Sequence, residues 1–69
     1  DLIARKVGEE AVEVITAAYA NERKNSEKSK DELIGEICDL FYHSLILMKQ
    51  QNIEPKDIFS KLANRNNKK

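Results

Sequence analysis

The chain has 69 residues, of which 41% are hydrophobic, and its 12 acidic and 12 basic residues give a formal net charge of zero. Zero net charge excludes the basic excess that non-specific nucleic-acid binding needs, and a single cysteine excludes an internal disulfide. A chain this short buries only about 60% of its unfolded surface, so it should depend on a metal or on partner subunits. No export signal and no apolar run near 20 residues is visible, which predicts a cytoplasmic protein without membrane spans.

The first predicted element is a helix over residues 1 to about 23. Its apolar residues recur at spacings of three and four and therefore form one stripe: Ile3, Val7, Ala11, Val14 and Ala18. Glu10 and Glu13 lie on the edge of that stripe, with Lys6 one turn before Glu10. Because no capping residue opens this helix, we expect it to continue upstream in a longer parent chain.

The second predicted element is a helix over residues 31 to about 51, joined to the first by a polar loop over residues 21–30. Ser29 followed by Glu32 fits a capping box at its start. Apolar residues surround most of this helix: Leu33, Ile34, Ile37, Leu40, Phe41, Leu45, Ile46, Leu47 and Met48. Two short helices cannot cover such a helix on every side. This predicts an all-α antiparallel hairpin that pairs into a homodimer resembling a four-helix bundle.

The third predicted element is a short helix that begins at Pro55, since proline suits the first helical position. Ile53 and Ile58 have the spacing of a hydrophobic staple across that start. The helix should end near residue 64 and pack three apolar side chains inward: Ile58, Phe59 and Leu62. Residues 1–64 would then form one all-α domain, followed by a disordered tail at residues 65–69.

Two acidic pairs distinguish the first two helices. They are Glu10 with Glu13 and Glu36 with Asp39, and the members of each pair lie on one side of their helix and repel one another. A structural salt bridge would neutralise them, but no lysine or arginine lies between residues 31 and 48. The alternative is a divalent cation, and an all-carboxylate ligand set favours Mg²⁺ or Mn²⁺, as one ion or more. The four acids are therefore predicted to form one metal site between two helices.

Two stretches of the chain resemble the phosphoribosyl-ATP pyrophosphohydrolase family. They are residues 6–15, Lys-Val-Gly-Glu-Glu-Ala-Val-Glu-Val-Ile, and residues 36–43, Glu-Ile-Cys-Asp-Leu-Phe-Tyr-His. That family belongs to the all-α nucleoside triphosphate pyrophosphohydrolases, together with the MazG-type and dimeric dUTPase-type enzymes. The pattern shared across them is Glu-Glu-x-x-Glu followed some twenty residues later by Glu-x-x-Asp, and both parts are present. The narrower Asp-Leu-x-Tyr-His run favours the branch that acts in histidine biosynthesis. The resemblance covers roughly residues 1–62.

The resemblance implies a role for each motif residue. Four of them match Mg²⁺ ligands: Glu10, Glu13, Glu36 and Asp39. Glu9 matches the remaining acid, which would orient the nucleophilic water or support the ligands, so Glu9 and Glu10 are the expected catalytic residues. Lys6 would contact a substrate phosphate. The implied reaction is attack of a metal-bound water on the α–β linkage of phosphoribosyl-ATP, which gives phosphoribosyl-AMP and pyrophosphate.

Four further residues have alternative interpretations. His43 lies one turn beyond Asp39, where it would partner an acid, contact substrate phosphate or be an ordinary buried histidine. Cys38 lies about 100° around the helix from its acidic neighbours, which favours a small core residue over a ligand. Tyr42 fits a core or dimer interface as well as a functional role. Gly8 costs about 1 kcal/mol inside a helix, which suggests close approach of another helix or room for a ligand.

The resemblance also shows one departure, because the family normally has another helix before this point. Family members also occur fused behind a phosphoribosyl-AMP cyclohydrolase domain, so this chain is expected to be a fragment, the tail of such a fusion or a trimmed enzyme. Two other functions remain open. One is a MazG-like hydrolase that clears ordinary or damaged nucleoside triphosphates, and the other is a helical dimerisation module without catalysis.

Overall fold

The computed structural model describes residues 2–67, which form three α-helices: α1 (Leu2–Lys24), α2 (Glu27–Gln50) and α3 (Pro55–Asn67). The helices α1 and α2 pack against each other as a hairpin, which confirms the predicted all-α class. The molecule measures 38 × 35 × 14 Å. Because a helix with its side chains is about 10–12 Å across, this slab is one helix layer thick. No helix within the described part of the chain has the length and apolarity needed to cross a bilayer.

The connection between α1 and α2 is far shorter than the loop predicted over residues 21–30, because only Asn25 and Ser26 lie between the two helices. Asn25 adopts a left-handed φ of 45°, which asparagine tolerates better than most residues. The prediction was wrong because the glutamate, arginine and lysine residues of this stretch are good helix formers. The polar composition of residues 21–30 therefore did not indicate a loop.

The N-cap of α2 is Ser26, so the predicted cap at Ser29 is wrong. The Ser26 hydroxyl accepts the backbone N–H of Ser29, and the Ser29 hydroxyl accepts the backbone N–H of Ser26, both at 3.0 Å. Ser29 thus occupies the third helical position of the capping box, which the prediction gave to Glu32. The Ser29 hydroxyl also donates to Asn21 Oδ1 at 2.7 Å, which ties α1 to α2 and leaves Ser29 buried.

The end of α2 is a Schellman motif, which explains why the chain turns there. Asn52 takes a positive φ of 59°, and the Ile53 N–H donates to the Met48 carbonyl at 2.8 Å. Pro55 then opens α3 as predicted. The helix α3 continues to Asn67, so residues 65–67 of the predicted disordered tail are helical, while Lys68 and Lys69 lie outside the described residues.

The large apolar side chains remain uncovered in the single chain. No hydrophobic residue among residues 2–67 is buried, and the exposed fraction reaches 67% for Phe41 and 68% for Phe59. The predicted inward packing of α3 is therefore wrong, because Ile58, Phe59 and Leu62 line an open groove against α2 instead of a core. One layer of helices has no second layer against which to bury them.

Candidate metal centre

Three carboxylates from two helices meet between α1 and α2. Glu10 and Glu13 of α1 each place an oxygen close to one of Glu36 of α2, with all three oxygens within 4.8 Å of one another. Oxygen ligands on opposite sides of a Mg²⁺ ion lie about 4 Å apart, so three oxygens this close together are candidate ligands of one ion.

Glu10 is the most buried acid of the group. Only 5% of its surface is exposed. Its Oε2 lies 3.6 Å from Lys6 Nζ, and Lys6 Nζ also lies 4.0 Å from Oε1 of the exposed Glu9. The other oxygen of Glu10, Oε1, is buried and accepts no hydrogen bond within residues 2–67. Lys6 therefore neutralises one side of Glu10 and leaves an oxygen free for a further partner.

Glu36 has the electrostatically most perturbed position in the cluster. Its pKa is raised above the ordinary value, first by partial removal from water, then by a hydrogen bond with Glu13 and by the charges of Glu13, Asp39 and Glu10. Glu36 Oε1 is buried without a hydrogen-bond partner in the described chain. These neighbouring carboxylates disfavour the ionised form of Glu36 unless a positive charge lies beside it.

Asp39 does not join the compact group, which within residues 2–67 contains Glu10, Glu13 and Glu36. It is exposed, yet its charge contributes to the raised pKa of Glu36. The three-residue spacing of Glu36 and Asp39 is the same as that of Glu10 and Glu13, so spacing alone does not decide which acids join the group. The role of Asp39 as a ligand stays a prediction.

His43 is oriented by the main chain rather than by an acidic side chain. Its Nδ1 lies 2.9 Å from the backbone carbonyl oxygen of Asp39. Because a carbonyl only accepts, Nδ1 carries the hydrogen in this contact. The Tyr42 ring meets the His43 ring edge-on, with the ring centroids 5.2 Å apart. A contact between His43 and substrate phosphate stays a prediction.

A cleft of about 420 Å³ opens beside the acids. Its lining consists of acids, a threonine and small residues: Glu13, Thr16, Ala17, Ala20, Glu32 and Glu36. Sequence reasoning missed Thr16 and Glu32 as lining residues, and it assigned Glu32 to a helix cap. The spacings to Glu13 and Glu36, three and four residues, were the available signals. Three carboxylates and no base make the cleft strongly negative.

Gly8 and Cys38 both lie in open positions of the single chain. A Cβ added to Gly8 would meet nothing within 4 Å, so of the two predicted explanations close approach of another helix is wrong within the described chain, and room for a ligand stays a prediction. Cys38 is exposed, so the single chain does not enclose it in a core.

Comparisons with known proteins agree with the motif pattern. The sequence model of the family described as phosphoribosyl-ATP pyrophosphohydrolase matches residues 1–66. The phosphoribosyl-ATP pyrophosphatase of Clostridium acetobutylicum is 44% identical over 68 residues, which are 99% of this chain and 56% of that protein. The phosphoribosyl-ATP pyrophosphatase of Saccharolobus solfataricus is 43% identical over 63 residues, 91% of this chain and 60% of that protein. The chain thus spans little more than half the length of these relatives, and no solved structure gives a significant match.

Proposed function

We propose that this chain, which belongs to the phosphoribosyl-ATP pyrophosphohydrolase family, contributes to Mg²⁺-dependent hydrolysis of phosphoribosyl-ATP to phosphoribosyl-AMP and pyrophosphate. This is the second step of histidine biosynthesis, and a cytoplasmic location is part of the proposal. The observation that carries it is the meeting of three motif carboxylates, Glu10, Glu13 and Glu36, within 4.8 Å across two helices. Similar proteins named phosphoribosyl-ATP pyrophosphatase support the choice of substrate.

The donor set fits a hard divalent cation. All of its members are carboxylates, the ligands that Mg²⁺ and Mn²⁺ prefer. Two buried oxygens, Oε1 of Glu10 and Oε1 of Glu36, lack a hydrogen-bond partner among residues 2–67 and are therefore available as ligands. Glu10, Glu13 and Glu36 would hold the ion, with Asp39 as a candidate fourth ligand. When bound, the cation supplies charge neutralisation and polarisation of the phosphate oxygens.

The negative cleft also predicts how the substrate binds. Its three carboxylates, Glu13, Glu32 and Glu36, would repel a free triphosphate at short range. Substrate and cation must therefore bind together, and removal of the metal should abolish substrate binding as well as turnover. This dependence of substrate binding on the metal distinguishes the proposed site from an acidic surface that binds cations without affecting substrate binding.

Lys6 and Glu9 are proposed to act on either side of the acid cluster. Lys6 Nζ is 3.6 Å from Glu10 and 4.0 Å from Glu9, longer than a tight charged hydrogen bond, so its ammonium group can transfer to a phosphate oxygen. Glu9 is exposed and lies outside the compact group of three acids. The proposed role of Glu9 is to accept the proton of the attacking water, and its position outside the group of three acids supports this role because it leaves Glu9 uncommitted to a cation.

The experiment is to compare pyrophosphate release from phosphoribosyl-ATP and from ATP, GTP, CTP and UTP, using the protein at its natural length with Mg²⁺. We expect release from phosphoribosyl-ATP alone, and a loss of at least about 100-fold, or about 3 kcal/mol, in Glu36→Gln. The matched control is Glu22→Gln, which changes an exposed glutamate of α1 outside the cleft. Equal rates on all triphosphates would favour the MazG-like hydrolase, and a folded protein that hydrolyses none would favour the dimerisation module.

A further inference from the structure

The turn between α1 and α2 carries an excess of positive charge. Residues 21–30 contain four bases and two acids. The four bases are all exposed, and they are Arg23, Lys24, Lys28 and Lys30. None of them forms an ion pair within residues 2–67. Their charges are therefore free to attract an anion from outside the described chain.

Two of these lysines extend the walls of the cleft that opens beside the acid cluster. Ala20 lines the cleft on α1, and Glu32 lines it on α2. Lys24 follows Ala20 by four residues and Lys28 precedes Glu32 by four, so each lysine lies on the cleft side of its helix. Lys30 is two residues from Glu32, which is about 200° around the helix, so it lies on another side.

The cleft thus joins two ends of opposite charge. Its acid end holds Glu13 and Glu36, which belong to the proposed cation site. The rise along α1 from Glu13 to Lys24 is about 16 Å, at about 1.5 Å per residue. A ligand that satisfies both ends has phosphate groups bound to a cation at one end and a second anionic group far from the first.

The middle of the cleft suits a nucleoside. Ala17 and Ala20 have the small side chains that leave room for a flat ring, and the cleft volume is about 420 Å³. The Glu32 carboxylate, when ionised, only accepts hydrogen bonds, and ribose hydroxyls can donate them. The lining therefore changes along the cleft from cation site to small residues to bases.

We infer that Lys24 and Lys28 bind the phosphate of the phosphoribosyl group, at the end of the cleft opposite the triphosphate. This inference rests on the proposed function. In phosphoribosyl-ATP, the adenine and two ribose rings separate that phosphate from the triphosphate. Lysine ammonium groups are common phosphate ligands. Because ATP has no second phosphate group, the two lysines favour phosphoribosyl-ATP over ATP.

The first test is the kinetics of pyrophosphate release by the natural-length protein with Mg²⁺. We expect the double variant Lys24→Ala, Lys28→Ala to raise KM for phosphoribosyl-ATP at least about tenfold, with the effect on KM rather than on kcat. The inhibition constant of ATP, used as a competitor, should change less than about twofold. The matched control is Lys30→Ala, which removes the same charge from the same turn but from another side of α2. An equal rise for phosphoribosyl-ATP and ATP, or an unchanged KM, would overturn the inference.

The second test needs no turnover, so it decides the question even if the proposed reaction is wrong. The natural-length protein with Mg²⁺ is titrated with ribose 5-phosphate, and binding is followed by amide chemical shifts. We expect shifts at residues 24 and 28, and a dissociation constant at least about threefold higher in the double variant but not in Lys30→Ala. Shifts confined to Glu10, Glu13 and Glu36 would show that the phosphate binds only the cation and would overturn the inference. So would no binding, or equal affinities in the double variant and the control.

Discussion

The two sides of α2 reverse the usual arrangement of a small globular domain. On the side that faces α1, the hairpin encloses an acid, Glu10, with 5% of its surface exposed. On the opposite side, Phe41 is 67% exposed. Buried acids and exposed aromatic residues are both costly in an isolated chain. The comparison teaches that the hairpin by itself leaves two groups without partners within residues 2–67: the Oε1 atoms of Glu10 and Glu36 on one side, and the large apolar side chains on the other.

Removal of Lys6 should have the largest effect on stability, because it leaves the buried carboxylate of Glu10 without its base. Loss of one partner of a fully buried pair costs about 3–5 kcal/mol, but the Lys6 side chain is 46% exposed, so we expect Lys6→Ala to cost about 1–2 kcal/mol without metal. Urea denaturation measures this, with Arg5→Ala as the neighbouring control. Glu10→Gln should restore the loss. If it does not, the Lys6–Glu10 pair is not what stabilises the hairpin.

Loss of the Ser29 hydroxyl should cost about 1 kcal/mol, since Ser29 completes the capping box and bonds to Asn21 across the hairpin. Ser29 fixes α2 against α1 at the end of the hairpin near the cleft, so Ser29→Ala should also weaken Mg²⁺ binding. Calorimetric titration with Mg²⁺ measures the second effect. Ser44→Ala, a change of the same size further along α2, is the control. Unchanged affinity for Mg²⁺ would show that the acids of α1 and α2 keep their relative positions without the hydrogen bond between Ser29 and Asn21.

Replacing Gly8 of α1 with alanine should raise the stability of the fold without changing either side of α2. A Cβ there meets nothing, and alanine favours a helix over glycine by up to about 1 kcal/mol. We therefore expect Gly8→Ala to raise the melting temperature by a few degrees, while the further rise that Mg²⁺ produces stays the same. A change in the metal response would mean that Gly8 leaves room for a ligand.

The pH dependence of Glu36 is the smallest effect, and its sign is determined. Because the folded-state pKa of Glu36 is raised, its contribution to stability is fully present below the ordinary glutamate value of 4.5 and is lost as pH rises through the folded-state pKa. The metal-free protein should therefore lose stability across that window relative to Glu36→Gln. Chemical denaturation of both proteins at a series of pH values measures the difference. A constant difference at all pH values would contradict the raised pKa.

The three helices and the proximity of Glu10, Glu13 and Glu36 could be predicted from the sequence. The position of Asp39 outside that group and the exposure of each side of α2 could not. The spacing of Glu10 with Glu13 placed two acids on the edge that meets α2, because helical periodicity is local. Spacing within α2 could not show that Glu36 joins Glu10 and Glu13 while the exposed Asp39 lies outside their group. That depends on the angle at which the two helices pack.

The errors at the turn and on α3 also have physical causes. Residues 21–30 are polar and yet largely helical, because polarity and helix propensity are separate properties of glutamate, lysine and arginine. The exposure of Phe59 could not be predicted from the helical spacing of apolar residues. That spacing shows which side chains favour burial, but it does not show which element packs against them. Periodicity identified the apolar face correctly, and the single layer of helices left it open.

The most direct test of the metal site is the melting temperature of the natural-length protein with and without Mg²⁺ or Mn²⁺. At about 100 times the dissociation constant, a cation that binds the folded state adds about 2.7 kcal/mol, which corresponds to a rise of roughly 10 °C or more for a domain of this size. We predict that rise in the unmodified protein and almost none in the double variant Glu36→Gln, Asp39→Asn. Equal melting temperatures with and without metal in the unmodified protein, together with a more stable double variant, would contradict a cation site between α1 and α2.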